Sequence, residues 1–195
     1  MPELAATAAV DFSRGRHGLA DGPAGIKLRL TVSRALVSVI ARKGKAQSLT
    51  SAVKQAFGID LPDKPQLARG KSVSFLWSGH QHWLAVADED DLMSKLTREL
   101  AGLASLSDQS DSRVIVGLSG VAARQTLAKL VPIDLHPRAF RPNDTALTLF
   151  GHIAGQITQM DEVPTYELMA PRSFAESFVH DVLAAGAEFG IDVIG

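Results

Sequence analysis

Ile59-Asp60-Leu61-Pro62 and Ile133-Asp134-Leu135-His136-Pro137 are two versions of one phrase, 74 residues apart in a chain of 195. Their surroundings match as well. Before the first lie an apolar run, Val37-Ser38-Val39-Ile40, a glycine at 44 and a helical pattern. Before the second lie Val114-Ile115-Val116, a glycine at 120 and another helical pattern. A hairpin-like pattern and a second helix follow each phrase. Strand, helix, hairpin, helix and strand make a βαββαβ unit. The chain is therefore expected to be an α+β protein. Residues 26–195 form a single pseudo-duplicated domain of two βαββαβ-like halves, about 26–110 and 111–195.

The elements come from periodicity. Leu28, Leu30 and Val32 alternate with Lys27, Arg29 and Thr31, a strand with one polar face. Ala35–Ala41 is apolar enough for a strand buried on both faces. Leu49, Val53, Ala56 and Phe57 predict a helix over 46–57, stopped by Gly58. Leu61–Gly70 reads as a loop. Val73–Trp77 and His82–Ala87 read as a hairpin turning at Ser78–Gln81. Leu92, Leu96, Leu100 and Leu103 share one helical stripe, and Ser107–Ser112 reads as a linker. In the second half Arg113–Leu118 is a strand. Ser119 is expected to cap a helix running to Val131, where Pro132 stops it. Thr145–Ile157 and Tyr166–Ala170 are strand candidates around a turn at 161–164. Ser173 and Glu176 have the spacing of a capping box. They would open a last helix with Phe174, Phe178, Val182 and Leu183 on its apolar face. Gly190 closes it, and Ile191–Ile194 can form a short strand. Residues 1–25 hold no period and read as a flexible N-terminal arm.

Composition removes whole classes of function. Lys and Arg total 20, Asp and Glu 21, and the formal net charge is −1. A nucleic-acid binder or a polybasic membrane-surface protein would carry a basic excess. Hydrophobic content of 46% and a mean hydropathy of +0.09 predict a folded chain. There is no cysteine, hence no disulfide, thiolate zinc site, iron–sulfur cluster or cysteine nucleophile. The apolar runs fall far short of the ~20 residues of a membrane span. Met1-Pro2-Glu3 lacks the basic start of a secretory signal. The expected location is cytoplasmic.

The candidate chemistry is sparse. His80 and His82, two apart on a hairpin, would point the same way, as a metal pair requires, but no third ligand is near in sequence. They read equally as turn histidines flanking Trp83. Gly117-Leu118-Ser119-Gly120 lies between strand and helix, where backbone N–H groups can hold an anion. It lacks the lysine of a P-loop, and a tight turn explains its glycines. Arg42-Lys43-Gly44-Lys45 reads as a solvated basic turn. Ser119 and Ser173 are better explained as caps than as nucleophiles, since no G-x-S-x-G surrounds either. Asp134 stands near His136, but Asp60 recurs in the repeat without a histidine, which favours a structural role. No dinucleotide fingerprint occurs. No catalytic, cofactor-binding or metal residue is assigned.

Several stretches resemble one family, the gamma subunit of heterotetrameric sarcosine oxidase. They are Leu76-Trp77-Ser78-Gly79 with Trp83-Leu84, Leu118–Arg124 followed by Leu127, and Ile133–Phe140. Pro171–Ser177, ending in Ala187-Glu188-Phe189-Gly190, is another. The resemblance runs over about residues 30–190. Where the family often has proline and acidic residues, this chain has His80-Gln81-His82. The resemblance implies a fold like the folate-binding domain of the glycine-cleavage T-protein and of tRNA-modifying GTPases. It implies an accessory, non-catalytic role in a complex that oxidatively demethylates sarcosine to glycine. Tetrahydrofolate would be the one-carbon acceptor and hydrogen peroxide a product. FAD, FMN, NAD and the folate would belong to partner subunits. The partners would be alpha, beta and delta chains, chiefly alpha.

Two alternatives stay open. One is a free-standing folate-binding one-carbon protein. The other is the equivalent subunit of an N-methylglutamate dehydrogenase-type complex. The expected partner surface is the loop Arg138-Ala139-Phe140-Arg141, with Phe140 as an apolar anchor between Arg138 and Arg141, together with the arm. The competing reading tucks Phe140 into the core.

Overall fold

In the computed structural model, which describes residues 14–31, 34–88 and 91–194, the two halves build two sheets stacked face to face, each with helices on its outer side.

The five-stranded sheet belongs wholly to the first half. Its strands are β3 (Ala35–Ala41), β4 (Leu67–Arg69), β5 (Ser74–Gly79), β6 (His82–Ala87) and β7 (Ala104–Asp108), in the order β4-β5-β6-β3-β7. Helices α1 (Ala46–Phe57) and α2 (Leu92–Glu99) cover it. Leu49 and Val53 of α1 and Leu92 and Leu96 of α2 pack on Val37, Val39, Phe75 and Trp83. Gly58 ends α1 at φ 72°, a left-handed stop.

The seven-stranded sheet runs β1-β12-β2-β8-β11-β10-β9. Its strands are β1 (Gly15–His17), β2 (Ile26–Thr31), β8 (Arg113–Ser119), β9 (Thr145–Phe150), β10 (Ile153–Gln159), β11 (Tyr166–Pro171) and β12 (Ile191–Ile194). Helices α3 (Ala123–Ala128) and α4 (Ala175–Gly186) cover its outer face. Its core holds Val116, Leu118, Leu127, Phe150, Tyr166, Phe178 and Val182.

The two sheets meet through Leu36, Leu67, Leu76, Leu84 and Val86 on one side and Ile115 and Met169 on the other. Backbone bonds stitch this seam. Leu67 N–H donates to Asn143 O (2.7 Å) and Thr145 N–H to Pro65 O (3.1 Å). Gln156 Nε2 reaches across to Trp77 O (2.9 Å) and also donates to Thr145 Oγ1 (3.0 Å).

Several expectations need correction. The repeat predicts β2 in the first half. It lies instead in the other sheet, antiparallel to β8 and parallel to β12, because Ile26 and Leu28 bury into the second core. Each half also carries a third middle strand, β4 in the first and β9 in the second. The span Thr145–Ile157 is not one strand but the hairpin β9–β10, turning at Gly151 with φ 60°. The linker at Ser107–Ser112 begins inside β7, which pairs with β3. Leu103 falls beyond the end of α2. Neither serine cap forms. Ser119 ends β8, and α3 starts at Ala123 with no side-chain cap. A 3-10 turn over Arg172–Phe174 takes up Ser173, so α4 begins at Ala175 and no capping box closes.

Of the expected arm, residues 1–13 lie outside the described residues. Gly15–His17 is an edge strand, paired antiparallel to β12. Arg16 holds it there, its Nε donating to Asp192 (2.7 Å) and its Nη1 to Leu19 O and Gly22 O.

Candidate subunit interface and inter-sheet cleft

The residues singled out by sequence do not converge on one place. His80 is exposed at the tip of the β5–β6 hairpin, whose turn uses Gln81 at φ 53°. His82 points instead between the sheets, where its Nε2 lies 2.9 Å from Ser38 Oγ. Among the described residues no cluster of three metal-ligating side chains occurs. Gly120 is a packing glycine. At φ 119° a Cβ there would sit 2.3 Å from Gly25 O. Ala122 N–H, which an anion in this turn would need, donates to that same oxygen (3.1 Å). Asp134 and His136 fold their own loop: His136 N–H donates to Asp134 Oδ1 (2.8 Å) and Arg138 N–H to His136 Nδ1 (3.2 Å).

In the Arg138–Arg141 loop, Phe140 is only 7% exposed and belongs to the core of the seven-stranded sheet. The exposed-anchor expectation therefore fails for Phe140, and the competing reading holds. Its backbone N–H closes a turn onto His136 O (2.9 Å), which swings the ring inward. Arg138 and Arg141 are exposed.

The exposed apolar surface lies elsewhere. Leu147 and Leu149 on β9 are 52% and 44% exposed. Among the described residues β9 is the last strand of its sheet, paired only with β10. Alternation puts Thr145, Leu147 and Leu149 on the side facing the other sheet, while Ala146 and Phe150 face the helices. Beyond the seam the sheets splay, leaving a cleft of about 630 Å³. Its floor includes Leu147, Leu149, Gln156, Met169 and Arg113, and its roof Ser38, His82 and Leu84. Burial, and next the positive charge of Arg113, hold the His82 pKa below its ordinary value. His82 thus favours the neutral ring in this cleft.

Sequence reasoning did not find this cleft. Its one signal was the run Thr145–Phe150, apolar on both faces although it forms a sheet edge.

A profile of the sarcosine oxidase, gamma subunit family matches residues 43–188. The chain belongs to this family. It is 34% identical over 149 residues to the sarcosine oxidase subunit gamma of Corynebacterium sp. (strain P-1), covering 74% of this chain and 72% of that one. It is 35% identical over 144 residues to the Arthrobacter sp. subunit gamma, covering 71% and 70%. Among solved structures, a chain of the heterotetrameric sarcosine oxidase from Corynebacterium sp. U-96 matches at TM-score 0.77 and 27% identity, over 87% of both chains. The glycine cleavage system aminomethyltransferase T from Bartonella henselae matches at TM-score 0.66 and 14% identity. That match covers 88% of this chain and 48% of the other, and it shows the shared fold. The α+β duplicated architecture expected from the repeat is thus the architecture of the family. Among the described residues no helix is long and apolar enough to cross a membrane.

Proposed function

We propose that the chain is the accessory subunit of a heterotetrameric sarcosine oxidase. The complex would demethylate sarcosine to glycine, pass the one-carbon unit to tetrahydrofolate and release hydrogen peroxide. FAD, FMN, NAD and folate would sit in the other subunits, and the chain's main contact would be with the alpha subunit. Its own contribution would be assembly and support, in the cytoplasm.

The geometric observation that carries this assignment is the open edge of β9. Two leucines stand exposed side by side on a strand with no outer neighbour. An isolated chain with such an edge invites uncontrolled pairing. A chain assembled with others gains from covering it.

Purification of the chain from its source organism tests the assignment. Flavoprotein chains should co-elute with it, and the eluate should form peroxide when given sarcosine. Recovery as a lone monomer would overturn it. Reduced-folate binding by that monomer would then favour the free-standing alternative. Reduction of an artificial electron acceptor with N-methylglutamate but not with sarcosine would select the related complex.

A further inference from the structure

We propose that the cleft between the splayed sheets receives an extended segment of a partner subunit, apolar along its length and carrying a carboxylate that pairs with Arg113. This rests on the subunit assignment above and adds the place and the chemistry of the contact.

The charge pattern identifies the occupant. The guanidinium of Arg113 makes no hydrogen bond or ion pair among the described residues. Among the described residues no aspartate or glutamate lines the cleft. The other charged pairs near the sheet seam are satisfied internally: Arg34 holds Asp88 (3.0 Å) and Glu167 (2.6 Å). Arg113 is thus a cation in a half-enclosed slot of mixed apolar and uncharged polar lining, without a counter-ion among the described residues. Such a group calls for a carboxylate from outside, and arginine is the cation suited to take it in two-pronged fashion.

The shape identifies the rest. Arg113 is on β8, and the mouth of the cleft is at Leu147 and Leu149 on β9. These strands are three places apart in the sheet order β8-β11-β10-β9. At ~4.8 Å per strand the path is ~14 Å, about the span of four extended residues. Along that path lie Met169, Gln156 and the two leucines below and Leu84 above. Apolar side chains would be buried here, and Gln109 and Ser38 would receive main-chain polar groups. Ile40, paired with His82 across the strands, extends the exposed apolar surface at 45% exposure.

A photo-crosslinking residue in place of Leu149, in the assembled complex, tests the proposal. Leu149 is exposed, so the fold tolerates the change. The crosslink should map to one partner segment with an Asp, a Glu or a C-terminal carboxylate within about four residues of the crosslinked site. Arg113→Glu should lower the crosslink yield about tenfold or more, and Arg113→Lys should retain part of it. An unchanged melting temperature of the free Arg113→Glu chain would show that the fold survives. A complex that assembles without any crosslink from position 149 would overturn the cleft proposal and leave the subunit assignment standing. A crosslink unaffected by Arg113→Glu would overturn the carboxylate. A chain that recovers no partner at all would overturn both.

Discussion

Gln66 faces Asp144 in an isolated antiparallel bridge, and the two residues hold the same place in their respective halves. Each directly precedes a middle strand, β4 for Gln66 and β9 for Asp144. The bonds around them are reciprocal. Leu67 N–H donates to Asn143 O while Thr145 N–H donates to Pro65 O, and Trp77 N–H donates to Gln66 O while Gln159 N–H donates to Asp144 O. An approximate two-fold axis therefore passes between Gln66 and Asp144. The duplication seen as a repeated Ile-Asp-Leu phrase survives as symmetry in the backbone of the seam.

The seam should be sensitive to its buried amide. Gln156→Ala removes the side-chain donor to Trp77 O inside the interface between the sheets, while Thr145 Oγ1 keeps its bonds to Ile157 O and Thr158 Oγ1. The expected loss is about 1–3 kcal/mol in denaturant unfolding. A change below 0.5 kcal/mol, as is usual at an indifferent surface site, would mean that water replaces the amide.

Phe140 is predicted to act through stability. Phe140→Ala should cost about 3–5 kcal/mol, as expected for truncating a buried aromatic ring. The melting temperature falls, yet any folded fraction should still assemble with partners. Full stability combined with failed assembly would restore the ring to the interface.

Two glycines with positive φ should respond very differently to alanine. At Gly44 nothing lies within 4 Å of the added Cβ, so only the left-handed backbone costs, about 1–2 kcal/mol. At Gly120 the Cβ would strike the Gly25 carbonyl oxygen. That clash would drive β2 and the α3 turn apart. Thermal melts of both variants should show a much larger loss for Gly120→Ala, and equal losses would contradict the close approach.

Stability should depend on pH through His82. Burial and Arg113 depress its folded pKa below 6.5. The unfolded chain therefore takes up the proton first as pH falls. Stability from the neutral ring is full above pH 6.5 and is lost as pH drops through the folded value. Melting temperatures measured from about pH 7.5 to about pH 5 should decline less steeply in His82→Gln. Asp108 acts in a separate window. Hydrogen bonds from Ser110 depress its pKa below 3.8, so its contribution disappears only at more acidic pH.

What the sequence made legible was whatever depends on neighbours along the chain. Leu49 and Val53 placed α1, and the alternation of Leu28 with Lys27 and Arg29 placed β2. Val73–Ala87 placed the hairpin. The rest depends on partners distant in sequence. The sheet that receives β2 is decided by cores built from residues 114–193. β7 is short, with Ala104 and Leu106 alone on its apolar face, and it pairs along the edge that β3 offers. Ser119 and Ser173 satisfy local capping rules, but tertiary pairing and a 3-10 turn claim them first. The cleft joins His82 of one half to Arg113 of the other, and no local pattern announces that meeting.

β2 settles between β8 and β12, and β1 leans on β12 alone. The chain's opening strands therefore close onto its last ones. During synthesis β2 can pair first with β8, while β1 and the other edge of β2 must wait, their main-chain groups facing water, for residues 191–194. The first sheet needs no such delay, since everything from Ala35 to Asp108 pairs within itself. Once Asp108 has emerged, a ribosome-bound chain should thus hold one finished sheet and one unfinished sheet. Removal of the final strand would strip β1 of its partner and leave β2 paired on one side only, so a loss at the end of the chain is felt near its beginning.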